Sequence, residues 1–287
     1  NSNMIPTAEE VAATWDAYAD AYSKRSEKNS LVFAISLASM LQFFEEKPET
    51  ILELGCGSGL FSRHLSQIVE HECSLTSIDI SEDMISLAKA FSNKYPPLPH
   101  IKITYEVGNA EDLSQFHDES FDAYIANLCL HLAGDPKKML HELKRVLKPG
   151  RRFGVSVLGP SERVTMISNV AGVIEELSKE IPALKPSKEM RSYFYLSKRE
   201  DLIKLVEEAG LEVDYCWYQP GPFNCITVED YKNYILQTPN YKDQIEKLNE
   251  NEKRRLLEAI EQSFKKTFVD KKVPSMKASL LLVGRKP

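Results

Sequence analysis

Three glycines alternate with two small residues in Gly55-Cys56-Gly57-Ser58-Gly59, directly after the strand-like run Thr50 to Leu54. Glycine loses more backbone freedom on ordering than any other residue. Three of them after a strand therefore suit a turn that something must approach too closely for a side chain to be present. Asp79 ends the next strand-like run, "SLTSID", twenty residues beyond Gly59. A carboxylate at that place can accept two hydrogen bonds from a ribose diol. It can also cap a helix, but Ser81 already stands as the cap before Glu82 and Asp83. The glycine turn and the carboxylate together point to an adenosine-containing cofactor. The third chemical residue is His131, which follows Asn127-Leu128-Cys129-Leu130. An imidazole titrates near neutrality and can take a proton from an acceptor; a local hydrogen-bonding role that merely shapes a pocket fits it equally well. The glycine spacing is G-x-G-x-G, which argues against the G-x-G-x-x-G of dinucleotide oxidoreductases, and the missing Gly-Lys-Ser/Thr excludes a P-loop. No CxxC or HExxH occurs, so no metal is expected.

These residues need elements to hold them. The segment from Thr7 to Phe44 reads as helix, with Trp15, Tyr18, Ala19 and Tyr22 at helical spacing and Asn29-Ser30 as a cap inside it. Strands and helices then alternate. Strands are predicted at "TILEL", "SLTSIDI", "IKITYEV", "FDAYIANL" and "RRFGVSVLG". Between them lie the helices "LFSRHLSQIV", "EDMISLAKAFSNKY" and "PKKMLHELKRVL", the last with Pro136 in its first turn. The rhythm breaks after Pro160 with one helical stretch and a loop. It resumes at Ser197, read as an N-cap that Glu200 completes as a capping box, and Gly210 stops that helix. "LEVDYCWY", a helical insertion from about Val228 to Phe268 and the strand "ASLLLVGRK" close the chain. This predicts an α/β fold: a doubly wound, mostly parallel seven-stranded sheet with helices on both faces. Residues 1–48 are read as an N-terminal helical cap, and 49–287 as the main domain with insertions at about 160–196 and 222–275.

The 287 residues are 43% hydrophobic and 27% charged, enough to bury a core. The net charge of −6 makes nucleic acid a poor partner. The basic group Lys144, Arg145, Lys148, Arg151 and Arg152 is read as a solvated helix end. Five irregularly spaced cysteines (Cys56, Cys73, Cys129, Cys216, Cys225) suit free thiols in a reducing, cytoplasmic setting. The longest apolar stretch, Leu31 to Phe44, is too short and too polar to span a bilayer and lacks the flanks of a signal peptide.

An ordered set of motifs carries a resemblance. "ELGCGSG" fits an acid-x-Gly-x-Gly-x-Gly first motif, "DISEDMI" a second, and "GNAEDLSQFHDESFDAYIANLCLHL" a third and fourth. "HELKRVLKPGRRFGVS", "YLSKREDLIKLVEEAGLEV" and "LLLVGRKP" continue the order. The chain resembles the class I S-adenosylmethionine-dependent methyltransferases, in particular the small-molecule, ubiquinone-biosynthesis-like group. The likeness runs from Thr50 to Leu158 and then in pieces. It implies the Rossmann-like methyltransferase fold, S-adenosyl-L-methionine as cofactor, S-adenosyl-L-homocysteine as product, and a small-molecule methyl acceptor.

The resemblance also implies roles. Glu53 would face the cofactor's amino group, and Gly55, Gly57 and Gly59 its amino-acid part. Asp79, with Ile80 beside it, would hold the ribose hydroxyls, and Met84 would pack on adenine. Asn109 and Ala110, followed by Glu111, would meet the adenine edge; the family often has Asp where Asn109 stands. Asn127 and Leu128 would lie beside the sulfonium, and His131 is the candidate base. Tyr22 would reach the cofactor or only pack in an aromatic stripe with Trp15 and Tyr18. Arg151 replaces the second glycine of the family's usual "KPGG". The acceptor pocket is expected from the irregular segments, with Tyr193, Phe194, Tyr195, Trp217, Tyr218 and Phe223. Methyl transfer is an in-line displacement, and a base is needed only for an acceptor protonated at working pH. The chain would act as a monomer or homodimer. The alternatives are a non-catalytic S-adenosylmethionine-binding or scaffold subunit, and an enzyme acting on protein or RNA.

Overall fold

The computed structural model describes residues 6–41, 46–184, 194–222, 227–271 and 276–287. Seven strands form one sheet: β1 (Thr50–Leu54), β2 (Cys73–Asp79), β3 (Ile101–Val107), β4 (Phe121–Ala126), β5 (Leu147–Leu158), β6 (Glu212–Pro222) and β7 (Met276–Arg285). Their order is β3-β2-β1-β4-β5-β7-β6. The first five pair in parallel. Strand β7 runs against both of its neighbours. The sheet is therefore mixed. The reversal follows from the connection: the insertion leaves β6 at Pro222 and re-enters the sheet at Met276, its pairing partner, so β7 starts at the edge where β6 ends and runs back.

Burial on both faces explains why these segments are strands. Every residue of β4 is buried, as a central parallel strand requires. Adjacent residues face opposite ways. Leu52, Tyr124, Phe153 and Leu280 join one core with Met139 and Leu143. Ile51, Ala123, Ile125 and Leu281 join the other with Phe33, Leu37 and Phe61.

Helix α1 (Ala8–Ala21) runs through a π-helical turn, Tyr22–Ser26, into α2 (Glu27–Met40). The predicted cap at Asn29-Ser30 does not form: both residues lie buried inside α2. Helix α2 lays Phe33, Ala34, Leu37 and Ala38 on the sheet. Full burial of a side chain such as Phe33 contributes roughly 1.5–3 kcal/mol. Gly154 permits this packing, since a Cβ there would come within 3.2 Å of Leu37.

Helices α3 (Leu60–Ile68) and α4 (Glu82–Lys94) follow β1 and β2, and α5 (Pro136–Val146) follows β4. Ser81 caps α4 by accepting the Met84 N–H at 3.0 Å. Asp135 caps α5, with Pro136 in the first turn. After β5 comes α6 (Thr165–Leu177), and α7 (Arg199–Glu208) precedes β6. The capping box predicted at Ser197 is absent. Helix α7 starts one residue later, after Lys198 and without a side-chain cap bond. Ser197 is instead buried in a turn, its N–H on the Phe194 carbonyl and its own carbonyl accepting the Tyr218 hydroxyl at 2.9 Å. Gly210 does end the helix, at φ +74°.

The late insertion is three helices, α8 (Val228–Gln237), α9 (Pro239–Ile245) and α10 (Glu250–Phe264). With α6 they build a separate small core around Val170, Tyr231, Ile235 and Leu256.

Candidate functional site

The connections reverse at β1, which has β2 on one side and β4 on the other. In such sheets ligands bind beyond the carboxyl ends of the strands at that crevice. A cavity of about 280 Å³ lies there. Gly55 and Gly57 line it from the turn after β1, Asp79 and Ile80 from the end of β2, and Met84 from α4. Asn109, Ala110 and Glu111 follow β3 onto the same wall, and Asn127, Leu128 and His131 follow β4. Tyr22 closes it from the N-terminal helices. Of the cofactor-site residues the sequence singled out, Glu53 and Gly59 stand behind this wall.

All three glycines of the turn have left-handed backbones, with φ of +67°, +55° and +73°. Their neighbours differ. A Cβ on Gly55 would lie 2.9 Å from that of Cys129, and one on Gly59 would lie 2.8 Å from the Tyr105 ring. At these two positions protein packing, as well as any ligand, demands glycine. Gly57 faces Glu27 Oε1 and the Tyr22 ring, at 3.0 and 3.5 Å from a built Cβ, on the cavity side. Gly59→Ala is expected to cost about 1–3 kcal/mol of stability, from the left-handed backbone plus the collision with Tyr105. A denaturant midpoint checks it, and adding Tyr105→Leu should return the collision part.

Three buried carboxylates surround the turn. Asp79 accepts the Gly57 N–H at 2.8 Å through Oδ2 and the Ser81 N–H at 3.0 Å through Oδ1. Each oxygen keeps a further lone pair for a ligand hydroxyl. Burial pushes the Asp79 carboxyl above its usual range, against those backbone hydrogen bonds. Glu53 Oε2 accepts from Ser62 Oγ at 2.5 Å and Ser77 Oγ at 2.7 Å. Burial carries it up to about 7. Glu27 reaches over from α2 and takes the Ser58 N–H at 2.9 Å and its hydroxyl at 2.5 Å. Burial raises its pKa too. Glu53, Glu27, Tyr22 and Asn127 border a smaller pocket beside the main one. Such a set favours a positively charged occupant. Glu27, Ser62 and Ser77 were not singled out from sequence. Serines facing a buried acid from a helix and a strand leave no periodic signal, and Glu27 is far from the glycines along the chain.

The strand-end loops are held by side-chain hydrogen bonds. Ser156 Oγ donates to Asn127 Oδ1 at 2.7 Å and accepts the Leu128 N–H at 2.8 Å, while Asn127 Nδ2 reaches the Ser30 carbonyl at 3.1 Å. Leu128 sits at φ +53°. A bulky residue in that region stores strain of order 1–3 kcal/mol and persists only where neighbours dictate it. Asn109 Oδ1 accepts the Glu111 N–H at 2.9 Å, so one lone pair of that oxygen is already used. His131 is buried in a short turn, Leu130–Leu132, against the cavity. Asp16 ties α1 to this side by accepting from Ser81 Oγ at 2.6 Å.

The aromatics expected at the acceptor end are elsewhere. Tyr218 and Tyr195 pack against one core and Trp217 against the other. Phe194 belongs to the turn before Ser197 and does not line the cavity. Tyr193 and Phe223 fall outside the described residues. The cavity instead takes Trp15 and Tyr18 from α1, which form a ring cluster with Tyr22 at 5.4–5.9 Å. From the insertions it takes Ile167, Tyr234, Thr238 and Tyr241, and from β7 Lys277. Strand alternation accounts for the misplacement of Trp217 and Tyr218, whose neighbouring positions face the two covered sides of β6. Among the described residues no group of His, Cys, Asp or Glu is arranged to hold a metal, and no helix is long and apolar enough to cross a membrane.

Residues 52–155 match the methyltransferase domain family. The biotin biosynthesis bifunctional protein BioHC of Teredinibacter turnerae is 36% identical over 117 residues, 39% of this chain and 20% of that protein. The ubiquinone biosynthesis O-methyltransferase of Hydrogenovibrio crunogenus is 29% identical over 141 residues, 49% of this chain and 54% of its own. The chain thus spans about half or less of the length of these two relatives. Among solved structures, a chain of the Haloferax volcanii complex between the Trm112 methyltransferase activator and its methyltransferase partner superposes with a TM-score of 0.56. The two share 20% identity, and the match covers 96% of this chain and 97% of that one.

Proposed function

We propose, from the premise that this chain belongs to the class I S-adenosylmethionine-dependent methyltransferase family, that it methylates an O, N or other nucleophile of a small organic molecule. One observation carries the reading: the glycine turn and Asp79 meet on one wall of a cavity at the strand-order reversal. The residues present fit the cofactor. Gly57 leaves the space a Cβ would fill, and the acids around the turn match a cation. When bound, S-adenosylmethionine supplies a methyl group already activated on a sulfonium.

In this reading Asp79 accepts the ribose hydroxyls while continuing to hold the Gly57 and Ser81 N–H groups. Met84 packs on adenine, with Ile80 beside the ribose. Asn109, Ala110 and Glu111 border the adenine edge. Glu53, behind Gly55, balances the amino group's charge, and Tyr22 closes over the amino-acid part. Asn127 and strained Leu128 fix the wall beside the reacting centre. The enclosing helices exclude water, which keeps acceptor and methyl in line.

His131 takes the proton from an acceptor that enters protonated. His131→Gln is then expected to lower kcat for a phenol by about 10²-fold at neutral pH and to remove a limb of the pH profile, with little change for a carboxylate or thiolate. Steady-state kinetics across pH check this. The overall reading is tested by incubating the protein with labelled methyl donor and fractionated cell extract. Label in the small-molecule fraction supports it, and label confined to protein or RNA contradicts it.

A further inference from the structure

The cavity is charged unevenly. Its acids, Asp79 and Glu111, stand at the ends of β2 and β3, where the nucleoside is placed. The opposite end holds a lysine. Lys277 lies near the start of β7, paired with Gly221 of β6. Because β7 is antiparallel, its first residues share an edge of the sheet with the carboxyl ends of β1, β4 and β5. Gly159, just past β5, donates its N–H to the Ala278 carbonyl at 2.9 Å, which fixes Lys277 beside that loop. Leu158, Ile167, Tyr234 and Thr238 line the cavity with it.

Among the described residues the Lys277 ammonium has neither a carboxylate partner nor a hydrogen bond. Its side chain borders the cavity yet is crowded enough that burial pushes its ammonium down to about 8. An unpaired ammonium against apolar walls is costly unless an anion arrives to meet it.

The proposed function gives that anion a source. We propose that Lys277 is the acceptor-recognition residue and that the acceptor is a small organic acid, its carboxylate anchored on the Lys277 ammonium. The inference rests on the methyltransferase reading. The carboxylate is the anchor and not the nucleophile. Strand β7 is two places from β4, about 10 Å across the sheet at the usual strand spacing, and β4 ends beside the reacting centre. An ion pair with lysine would also blunt the carboxylate's own attack. The group methylated therefore lies elsewhere on the acid, toward Asn127 and His131.

The test is calorimetry on the full chain, first with S-adenosylhomocysteine alone and then, at saturation, with matched probes: para-hydroxybenzoate against para-hydroxybenzamide, naphthoate against naphthamide, and decanoate against decanamide. At least one acid is expected to bind roughly 10- to 100-fold tighter than its amide, as a charge-assisted hydrogen bond implies. Lys277→Met should bring the pair within about twofold, and Lys277→Arg should retain the preference. Removing an unpaired buried charge does not threaten the fold, and the arginine variant supplies a reading that keeps the charge. Acids that bind no better than their amides, or a preference that survives Lys277→Met, overturn the proposal. Failure of the first titration, with no S-adenosylhomocysteine bound, counts against the methyltransferase reading instead.

Discussion

Asp79→Ala is expected to weaken S-adenosylhomocysteine binding by about 5- to 150-fold, corresponding to 1–3 kcal/mol for hydrogen bonds to a charged group. Asp79 ends β2 beside the glycine turn and lines the cavity. It already accepts two backbone N–H groups, from Gly57 and Ser81, so truncation also leaves two buried donors to find other partners. A loss of affinity alone would thus confound ligand and loop. The ribose assignment is separated by a second ligand, an analogue of S-adenosylhomocysteine without the ribose hydroxyls. The native protein should prefer the parent ligand, and Asp79→Ala should bind the two alike. That coupling, measured by calorimetry, isolates the contact from the damage to the loop. An unchanged preference in the variant would remove Asp79 from the ribose.

The second large effect concerns Glu53 and pH. Burial moves its carboxyl from 4.5 to about 7 in the fold, against the hydroxyls of Ser62 and Ser77. Below the unfolded value both states hold the proton, and Glu53 contributes no pH dependence. Between there and about 7 the unfolded chain releases the proton while the fold retains it, so stability falls as pH rises. Above about 7 the fold carries the ionised group at a cost of about 3 kcal/mol. Glu53→Gln removes this dependence. Its amide oxygen can still accept from Ser62 and Ser77. The variant is expected to gain on the native protein between acid and mildly alkaline pH, by up to about 3 kcal/mol, in denaturant midpoints compared across that range. Parallel pH profiles for the two proteins would show that Glu53 is not the titrating group. A cationic cofactor amino group beside Glu53 should lower its proton affinity, so binding near neutral pH should release a proton in the native protein and less in the variant.

Local chemistry made the central strands and the turn readable. β4 is apolar except for Asp122, which Thr50 and Lys148 hold, because both of its faces are covered, and Ser81, Pro136 and Gly210 mark helix ends through local chemistry. The features that escaped depend on distant partners. Ser197 has the form of an N-cap, but its carbonyl holds Tyr218 and the helix starts later. Asn29-Ser30 resembles a helix start, yet the chain is already helical there, with the Tyr22 hydroxyl beside Ser30 Oγ and the Ser30 carbonyl accepting Asn127 Nδ2. Strand β7 reads like any buried strand; its reversed direction follows from the chain re-entering the sheet at the edge where β6 ends.

The same division holds in the site. Gly55, Gly57, Asp79 and the residues that follow β3 and β4 line one cavity, while Gly59 and Glu53 stand behind it. Which aromatics would face the cavity was not legible, because Trp217 and Tyr218 sit half-buried on opposite faces of the edge strand β6, each against a different core. Lys277 had no motif to mark it, and only the antiparallel pairing brings it to the ligand edge. Two of the three glycines also answer to Cys129 and Tyr105, so the turn is shaped by its own protein as well as by what it would bind.

The most direct measurement is a crystal structure of the chain grown with S-adenosylhomocysteine. The nucleoside is expected in the cavity after β1, its ribose on Asp79, its amino-acid end against Gly55 and Gly57, and its sulfur facing Asn127 and Leu128. A ligand bound outside that crevice, or a cavity left empty at saturating ligand, would contradict this reading.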